Sequence, residues 1–347
     1  MSLLEIEDLV VEFTLSRRRY RVLDGVSLQL ESGGTLGIVG ESGSGKSMLL
    51  RTIMHVLPNR AAVTSGRISY AGQNLARPGR EVLARIRGRE IGMILQDPMT
   101  ALNPVLSVEQ QIVEAIGATR GTKGSAARGR AMELLRMVEI ADPQRIMRAY
   151  PFQLSGGLAQ RVSIAIAISA EPRILLADEP TTALDVTVQA QILRLLSDLR
   201  KRLHMALVLV SHDMAVVAQA CERVAVMYAG SFVERGATTD IFEAPRHPYT
   251  VGLLASIPTI DAGVKAAGLQ AIPGTPPTFG DLPAGCRFEP RCPLATDECR
   301  QDRVPLIAAA VDHDVACLHH AIVAERGVHF GANDRPAPSQ PAVGTTQ

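Results

Sequence analysis

The fold of this chain is decided by one stretch, Thr35-Leu-Gly-Ile-Val39 followed by Gly40-Glu-Ser-Gly-Ser-Gly-Lys-Ser47. Its first part predicts a short buried strand, and the residues from Lys46 onward predict a helix. Its second part matches G-x-x-x-x-G-K-S/T in full, a pattern typical of loops that bind phosphate groups. We expect Lys46 to reach the terminal phosphates of a nucleoside triphosphate and Ser47 to bind a metal ion. The phosphates would be surrounded by the backbone of Gly40, Glu41, Ser42, Gly43, Ser44 and Gly45.

This loop alone does not choose among kinases, GTPases and motor ATPases, and a Gly/Ser turn before an ordinary helix is the alternative. A second stretch favours the nucleotide site. Arg173-Ile-Leu-Leu-Ala-Asp-Glu-Pro180 is an apolar run that ends in carboxylates. Asp178 is placed to hold Mg²⁺, and Glu179 is placed to act as the base that polarises the attacking water. The alternative for these two residues is a polar turn after a strand.

A third stretch, Leu154-Ser-Gly-Gly-Leu-Ala-Gln-Arg161, resembles the signature of the ATP-binding cassette (ABC) family. Ser155, Gly156 and Gly157 stand at the start of a predicted helix, where backbone N–H groups and the helix dipole attract anions. In that family this helix end faces the γ-phosphate held by the opposite subunit, so the resemblance implies an ATP-bridged dimer. Leu158 and Ala159 depart from the commoner Met-Arg pair, but the anion-binding residues are kept.

The resemblance implies roles for further residues that follow in the family's order. Gln96 would sense Mg²⁺ and the attacking water and link to membrane subunits, Asp185 would contact the partner subunit, and His212 would touch the γ-phosphate. In this family an aromatic residue upstream of the phosphate loop stacks on adenine. Tyr20 has the better spacing for this contact, and Phe13 is the alternative.

Several other stretches look like the ATP-binding subunits of the oligopeptide/dipeptide importer family, namely residues 96–104, 230–236, 244–250, 272–278 and 285–293. The similarity extends from Leu3 to about His320. It implies an ATP-hydrolysing subunit that energises import of di- or oligopeptides. The implied partners are a second ABC ATP-binding subunit, two membrane permease subunits and an extracytoplasmic solute-binding protein. Nickel, glutathione and sugars are alternative cargoes, because this chain meets the nucleotide and not the cargo.

The cysteines suggest a second cofactor. Four of the five have the spacing C-x5-C-x6-C-x17-C, at Cys286, Cys292, Cys299 and Cys317. This is not the paired C-x2-C spacing of zinc ribbons, but four thiolates suffice for a four-iron four-sulfur (4Fe-4S) cluster, which the family resemblance favours. The alternatives are zinc, with His319 and His320 as possible ligands, and reduced cysteines without metal. Cys221 is expected to be a small buried hydrophobe.

The whole chain is predicted to have an α/β fold. We expect a P-loop NTPase core of the ABC type, with an antiparallel β subdomain, a helical signature subdomain over about 100–170 and a small Cys/Pro-rich C-terminal extension. We predict a nucleotide-binding domain over 1–260, a C-terminal domain with the cysteine cluster over 261–328 and a disordered tail over 329–347.

The charge and aromatic content of the chain disfavour nucleic acid as a partner. The 347 residues carry 36 Lys and Arg against 35 Asp and Glu, with five Tyr, seven Phe and no Trp. Nucleic acid is not an expected partner, because the chain lacks both a strong positive field and aromatic platforms for bases. The same features, and the lack of a long coiled-coil insertion, disfavour a non-transport ABC ATPase that acts on DNA or ribosomes. Without a secretory signal or a run of roughly 20 apolar residues, the chain is expected at the cytoplasmic face of the inner membrane as a peripheral protein.

Overall fold

The structure is a computed structural model, of which we describe residues 2–75, 78–182, 184–257, 271–328 and 330. The strands are β1 Ser2–Leu15, β2 Arg18–Glu31, β3 Thr35–Val39, β4 Ala61–Tyr70, β5 Gln73–Asn74, β6 Ile91–Ile94, β7 Ile174–Asp178, β8 Ala206–Ser211, β9 Arg223–Tyr228, β10 Ser231–Ala237, β11 Ile307–Ala310 and β12 His313–Val315. The helices are α1 Lys46–Ile53, α2 Arg80–Ile86, α3 Pro98–Ala101, α4 Val108–Arg120, α5 Gly124–Met137, α6 Pro143–Arg148, α7 Gly156–Ala167, α8 Val186–Leu203, α9 Met214–Ala220, α10 Thr238–Glu243, α11 Pro248–Ala255, α12 Glu298–Gln301 and α13 His320–Arg326.

The first sheet is antiparallel, with strand order β2-β1-β4-β5. Leu4 pairs with Leu30 and Ile6 pairs with Leu28 across the β1–β2 ladder, and all four side chains are buried. Because successive side chains of a strand point to opposite faces, this alternation gives the sheet one apolar face. That face belongs to the same hydrophobic core as α1 and the central sheet. The predicted antiparallel β region is therefore present.

The central sheet has the order β11-β12-β10-β9-β3-β8-β7-β6. Strands β9, β3, β8, β7 and β6 are parallel neighbours, and β3, β7 and β8 are buried along their whole length. Along β8, Leu207 and Leu209 contribute to one hydrophobic core while Val208 and Val210 contribute to the other. Burial on both faces explains why these strands are continuous apolar runs rather than alternating ones.

The predicted helical region comprises α4 to α7. Ile112, Ile116, Leu134 and Leu135 are fully buried and recur at helical spacing. They share one core with α8 and with the central sheet, so the helical region packs on the sheet face opposite to the antiparallel sheet. Within the described ranges, no helix is both long enough and apolar enough to cross a membrane.

The Cys/Pro-rich C-terminal extension adds two short strands to the central sheet. β12 pairs with β10 through Glu234–Val315 and Arg235–Asp314, and β11 pairs with β12, so the region extends the edge of the central sheet. Both strands are short, and their sequences, Ile-Ala-Ala-Ala and His-Asp-Val, lack the regular alternation of polar and apolar residues that predicts a half-buried strand. The predicted boundary near residue 260 lies outside the described residues. Of the predicted disordered tail over 329–347, only Phe330 is described, and it is buried next to Gly252 of α11.

Candidate nucleotide site

The phosphate-loop sequence lies between β3 and α1, as predicted. Two of its glycines are required by the local geometry. A Cβ atom on Gly40 would lie 2.1 Å from the Met227 carbonyl oxygen. Gly45 has a φ of 109°, and a Cβ atom on it would lie in close contact with Val22 and Leu23. No other residue fits these two positions without displacing backbone. The loop therefore curves tightly around the N-terminus of α1, and Ser42 and Gly43 are exposed at its outer side.

Lys46 is buried at the start of α1 and its ammonium is bound by the loop itself. Its Nζ donates to the carbonyl oxygens of Gly40 at 2.7 Å and Glu41 at 2.9 Å. Burial lowers the pKa of Lys46, and the negative charges of Glu179, Asp178 and Glu41 oppose that shift. The ammonium is thus held at the loop by groups that a phosphate anion could replace.

Ser47 and Asp178 are brought together from α1 and the end of β7. The Ser47 hydroxyl donates to Asp178 Oδ1 at 2.8 Å. Burial raises the pKa of Asp178, while the hydrogen bond from Ser47 lowers it. A hydroxyl and a carboxylate are oxygen ligands of the kind that Mg²⁺ takes together with substrate phosphates and water. The residues present therefore fit a Mg²⁺ ion.

Two other predicted site residues, Gln96 and His212, contact the carboxylate of Glu179. Gln96 Nε2 donates to its Oε2 at 2.9 Å, and His212 Nδ1 lies 3.3 Å from the same oxygen. A residue that no sequence motif marked, Thr182, also donates to Oε2 at 2.9 Å. Glu179 itself has a φ of 46°, a left-handed conformation that is uncommon for a residue with a side chain. The carboxylate is therefore fixed in position by residues from three separate segments.

The signature residues Ser155, Gly156 and Gly157 lie at the start of α7 and not at the phosphate loop. Ser155 caps α7 by accepting from the Leu158 N–H at 3.4 Å, and Ser155 and Gly156 are exposed. Asp185 caps α8, is exposed, and accepts from the Val188 N–H at 2.9 Å. A Cβ atom on Gly157 would lie 3.0 Å from the Val188 side chain, so the two caps are neighbours on one surface. The hydrogen bonds of the described residues do not join this surface to the phosphate loop of the same chain; Ala183 lies outside the described residues.

The two candidates for adenine stacking are neighbours. Phe13 and Tyr20 are cross-strand partners in the β1–β2 ladder, and both are partly exposed. Tyr20 also contacts the C-terminal region, because a Cβ atom on Gly280 would lie 3.3 Å from its ring. The ladder leads directly to the loop, since Val22 in β2 contacts Gly45. The structure therefore excludes neither Tyr20 nor Phe13 as the residue that stacks on adenine.

The predicted iron-sulfur cluster is not supported. Among the described residues, which include Cys286, Cys292, Cys299 and Cys317, no group of three or more His, Cys, Asp and Glu is placed to hold a metal ion. Cys299 Sγ instead lies 3.5 Å from Thr296 Oγ1 and 3.7 Å from His319 Nε2.

The four thiols nevertheless lie near enough to influence one another. Burial raises the pKa of Cys292 and Cys317 to about 12 and also raises the pKa of Cys286, and the neighbouring cysteines add to each of these shifts. The same lack of a ligand group among the described residues gives no support to zinc with His319 or His320. Cys221 is buried, as predicted.

The other residues that sequence reasoning missed connect the loop to the C-terminal region. Arg291 forms a bidentate ion pair with Glu41, and the Tyr249 hydroxyl accepts from the Glu41 N–H at 2.8 Å. These residues are about two hundred or more positions apart in the sequence. No local pattern could have joined them.

Comparison with known proteins identifies the chain's relatives. The ABC transporter family matches residues 23–182, and the C-terminal region of oligopeptide/dipeptide transporters matches residues 233–299. The chain is 44% identical to the oligopeptide transport ATP-binding protein AppD of Bacillus subtilis over 91% of this chain and 96% of AppD. The chain belongs to the family of ABC transporter ATP-binding proteins. It is 45% identical to the dipeptide transport ATP-binding protein DppD of Escherichia coli, again over 91% of this chain and 96% of the relative.

Solved structures agree with this membership. The chain is similar to the dimeric ATP-binding cassette MJ0796 bound to ADP and Pi, with a TM-score of 0.61 and 30% identity over 68% of this chain and 98% of that one. It is also similar to CbiO1 from Clostridium perfringens, with a TM-score of 0.60 and 28% identity over 70% and 91%. The predicted fold and family resemblance are confirmed, and the chain is an ABC ATPase.

Proposed function

We propose that this chain is the ATP-hydrolysing subunit of a transporter that imports di- and oligopeptides. The observation that carries the hydrolytic part is the arrangement around Glu179, where Gln96 and His212 contact a single carboxylate oxygen beside the Ser47–Asp178 pair. A carboxylate held by several neighbours next to a metal and phosphate site is suited to accept a proton from an attacking water.

In this proposal the loop residues 40–47 hold the phosphates of ATP, and Lys46 exchanges the Gly40 and Glu41 carbonyls for the terminal phosphates. Ser47, Asp178 and Gln96 hold Mg²⁺, which when bound neutralises the phosphate charge. Glu179 takes the proton of the water, while His212 and Gln96 fix the geometry of that carboxylate and of the γ-phosphate. Tyr20 stacks on adenine, with Phe13 as the alternative.

The exposed surface of Ser155, Gly156, Gly157 and Asp185 is proposed to meet a second ABC ATP-binding subunit. The start of α7 presents N–H groups of its first turn, which can bind the γ-phosphate held by the other subunit. The capping contact of Asp185 does not prevent this role, because its carboxylate can accept from more than one donor. Whether that partner is a second copy or a different subunit is decided by mass measurement of the assembled complex.

The peptide cargo is proposed from the relatives, whose names describe oligopeptide and dipeptide transport, and from the matching C-terminal region at 233–299. Two membrane permease subunits would bind the Gln96 region, and an extracytoplasmic solute-binding protein would deliver the peptide to them. The chain would then lie as a peripheral protein on the cytoplasmic face of the inner membrane. Its cofactors are proposed to be ATP and Mg²⁺, in a nucleotide-binding domain over 1–260 that is followed by a C-terminal domain over 261–328.

The test is uptake by cells that lack this chain. Cells should lose uptake of a labelled tripeptide and regain it with the wild-type chain but not with Glu179→Gln. Glu7→Gln is the matched control, because Glu7 lies on the antiparallel sheet and pairs with exposed Arg67. Normal tripeptide uptake in the deletion strain, with loss of nickel, glutathione or sugar uptake, would overturn the peptide assignment and identify the alternative cargo.

A further inference from the structure

The ion pair between Arg291 and Glu41 links the C-terminal region to the phosphate loop. Arg291 Nη1 lies 2.6 Å from Glu41 Oε2, and Nη2 lies 2.9 Å from Oε1. This is the bidentate geometry in which a guanidinium binds a carboxylate most strongly and with a fixed orientation. Glu41 directly follows the first glycine of the loop. The C-terminal region therefore holds a residue of the loop itself.

Contacts other than Glu41 also hold the guanidinium of Arg291 in place. Its side chain is only 4% exposed. Its Nε donates to the Pro273 carbonyl oxygen at 3.0 Å, its Nη1 donates to the Tyr228 hydroxyl at 3.3 Å, and it lies 5.9 Å from the centre of the Phe288 ring. Burial opposes the charge of Arg291, but the hydrogen bonds to Glu41 and Tyr228 outweigh it and raise the pKa. Such a preorganised cation loses little freedom when it binds its partner.

The carboxylate, the N–H and the carbonyl oxygen of Glu41 each have a hydrogen-bond partner. Its carboxylate binds Arg291, its N–H donates to the Tyr249 hydroxyl, and its carbonyl oxygen accepts from Lys46 Nζ at 2.9 Å. Its charge also acts on the Lys46 ammonium. Without Arg291, this carboxylate would leave an uncompensated negative charge beside the position where the loop is proposed to receive a triphosphate.

We propose that Arg291 is a positioning residue for the phosphate loop, which fixes the conformation of Glu41 and neutralises its charge, so that the C-terminal region sets the affinity for ATP. This inference rests on the proposed function, since it requires that the loop bind ATP. Arg291 does not touch the reacting atoms and acts through Glu41. Loss of Arg291 therefore changes ATP affinity and leaves the hydrolytic step at saturating ATP nearly unchanged.

The experiment measures the Kd for ATP and the KM and kcat of hydrolysis with the full chain in its assembled complex. Arg291→Met should weaken ATP binding about tenfold, because the half-buried carboxylate of Glu41 then stays unpaired within the loop that is proposed to bind the phosphates. Arg291→Lys should give an intermediate Kd, since lysine keeps the charge but not the two-pronged geometry. KM should follow Kd, and kcat should change less than about twofold.

Two further variants make the result specific. Adding Glu41→Gln to Arg291→Met should restore much of the affinity, because it removes the uncompensated charge; independent effects of the two changes would contradict the inference. Arg300→Lys is the matched control, since Arg300 lies in the same region, is 57% exposed, pairs with Glu289 and should leave Kd unchanged. Thermal melting shows whether each variant is folded, and if Arg291→Met does not fold, the Kd of Arg291→Lys alone decides whether the inference holds.

The outcomes separate this inference from the proposed function. If wild-type protein binds ATP and Lys46→Ala does not, while folded Arg291→Lys and Arg291→Met match the wild-type Kd, only the inference fails. If the wild-type complex itself does not bind ATP, the proposed function fails as well. A kcat that falls with unchanged KM would also overturn the inference, because it would place Arg291 in the chemical step.

Discussion

Replacing Glu179 by glutamine tests the proposed chemistry most sharply. The substitution preserves the shape of a side chain whose Oε2 is 2.9 Å from Gln96 Nε2, 2.9 Å from Thr182 Oγ1 and 3.3 Å from His212 Nδ1. An amide can keep such contacts, since the Thr182 hydroxyl can rotate and the Gln96 amide can turn over. The amide cannot accept a proton from water, so only the function of the base is lost.

The expected size follows from the role of a general base. Losing it should lower kcat by about 10²- to 10⁴-fold. That corresponds to about 3 to 5 kcal/mol of barrier. The Kd for ATP should change less than about threefold, because the phosphate contacts of the loop and Lys46 are untouched. ATP-bound dimers should therefore accumulate.

Phosphate release at saturating MgATP measures kcat, and a fluorescent ATP analogue measures Kd. Glu7→Gln provides the comparison, because it makes the same chemical change on the surface of the antiparallel sheet. A Glu179→Gln enzyme that hydrolyses ATP within about threefold of the wild-type rate would refute the role of Glu179 as base. A variant that loses ATP binding would instead show that Glu179 acts on the loop.

Three other experiments, two with variants and one with the unchanged protein, test separate parts of the structure. Lys46→Ala should reduce ATP binding by at least about a hundredfold, because it removes the buried ammonium of the phosphate loop, and unchanged titration with ATP would refute the loop assignment. At pH 8, Cys292 and Cys317 should react with iodoacetamide about a thousandfold more slowly in the folded protein than in urea, because their pKa values of about 12 leave little reactive thiolate. Fast labelling of the folded protein would contradict these raised pKa values. Leu209→Ala should lower the free energy of unfolding by about 2 to 5 kcal/mol in urea titrations, because Leu209 is fully buried in β8, and a loss below about 0.5 kcal/mol would contradict its place in the core.

The sequence predicts those parts of the site that depend on one local segment. The strand, loop and helix around Lys46 follow from a short apolar run, glycines that the backbone requires and a helical run. Strands β7 and β8 are apolar throughout because both of their faces are buried, and this also places Asp178 and the residues after β8 at one edge of the sheet. The family resemblance predicts that Gln96, Glu179 and His212 belong to one site, but their direct contacts at the Glu179 carboxylate are seen only in the structure.

The remaining features depend on contacts between distant segments. Strand β12 pairs with the edge of β10 and β11 pairs with β12, although the sequences of both strands lack the alternation of polar and apolar residues. Arg291 reaches Glu41 across 250 positions of sequence. The cysteine spacing suggests a metal cluster, and the thiols do lie near one another, but spacing alone does not fix whether three or more ligands converge on one point, and no such group is found among the described residues.

The most direct test of the central claim is ATP-driven uptake of a labelled tripeptide by proteoliposomes that contain this chain together with its partner subunits. Uptake should require ATP on the side of this chain, and it should be lost when Glu179→Gln replaces the wild-type chain and be retained with Glu7→Gln. Equal tripeptide uptake with Glu179→Gln and wild-type protein would contradict the account.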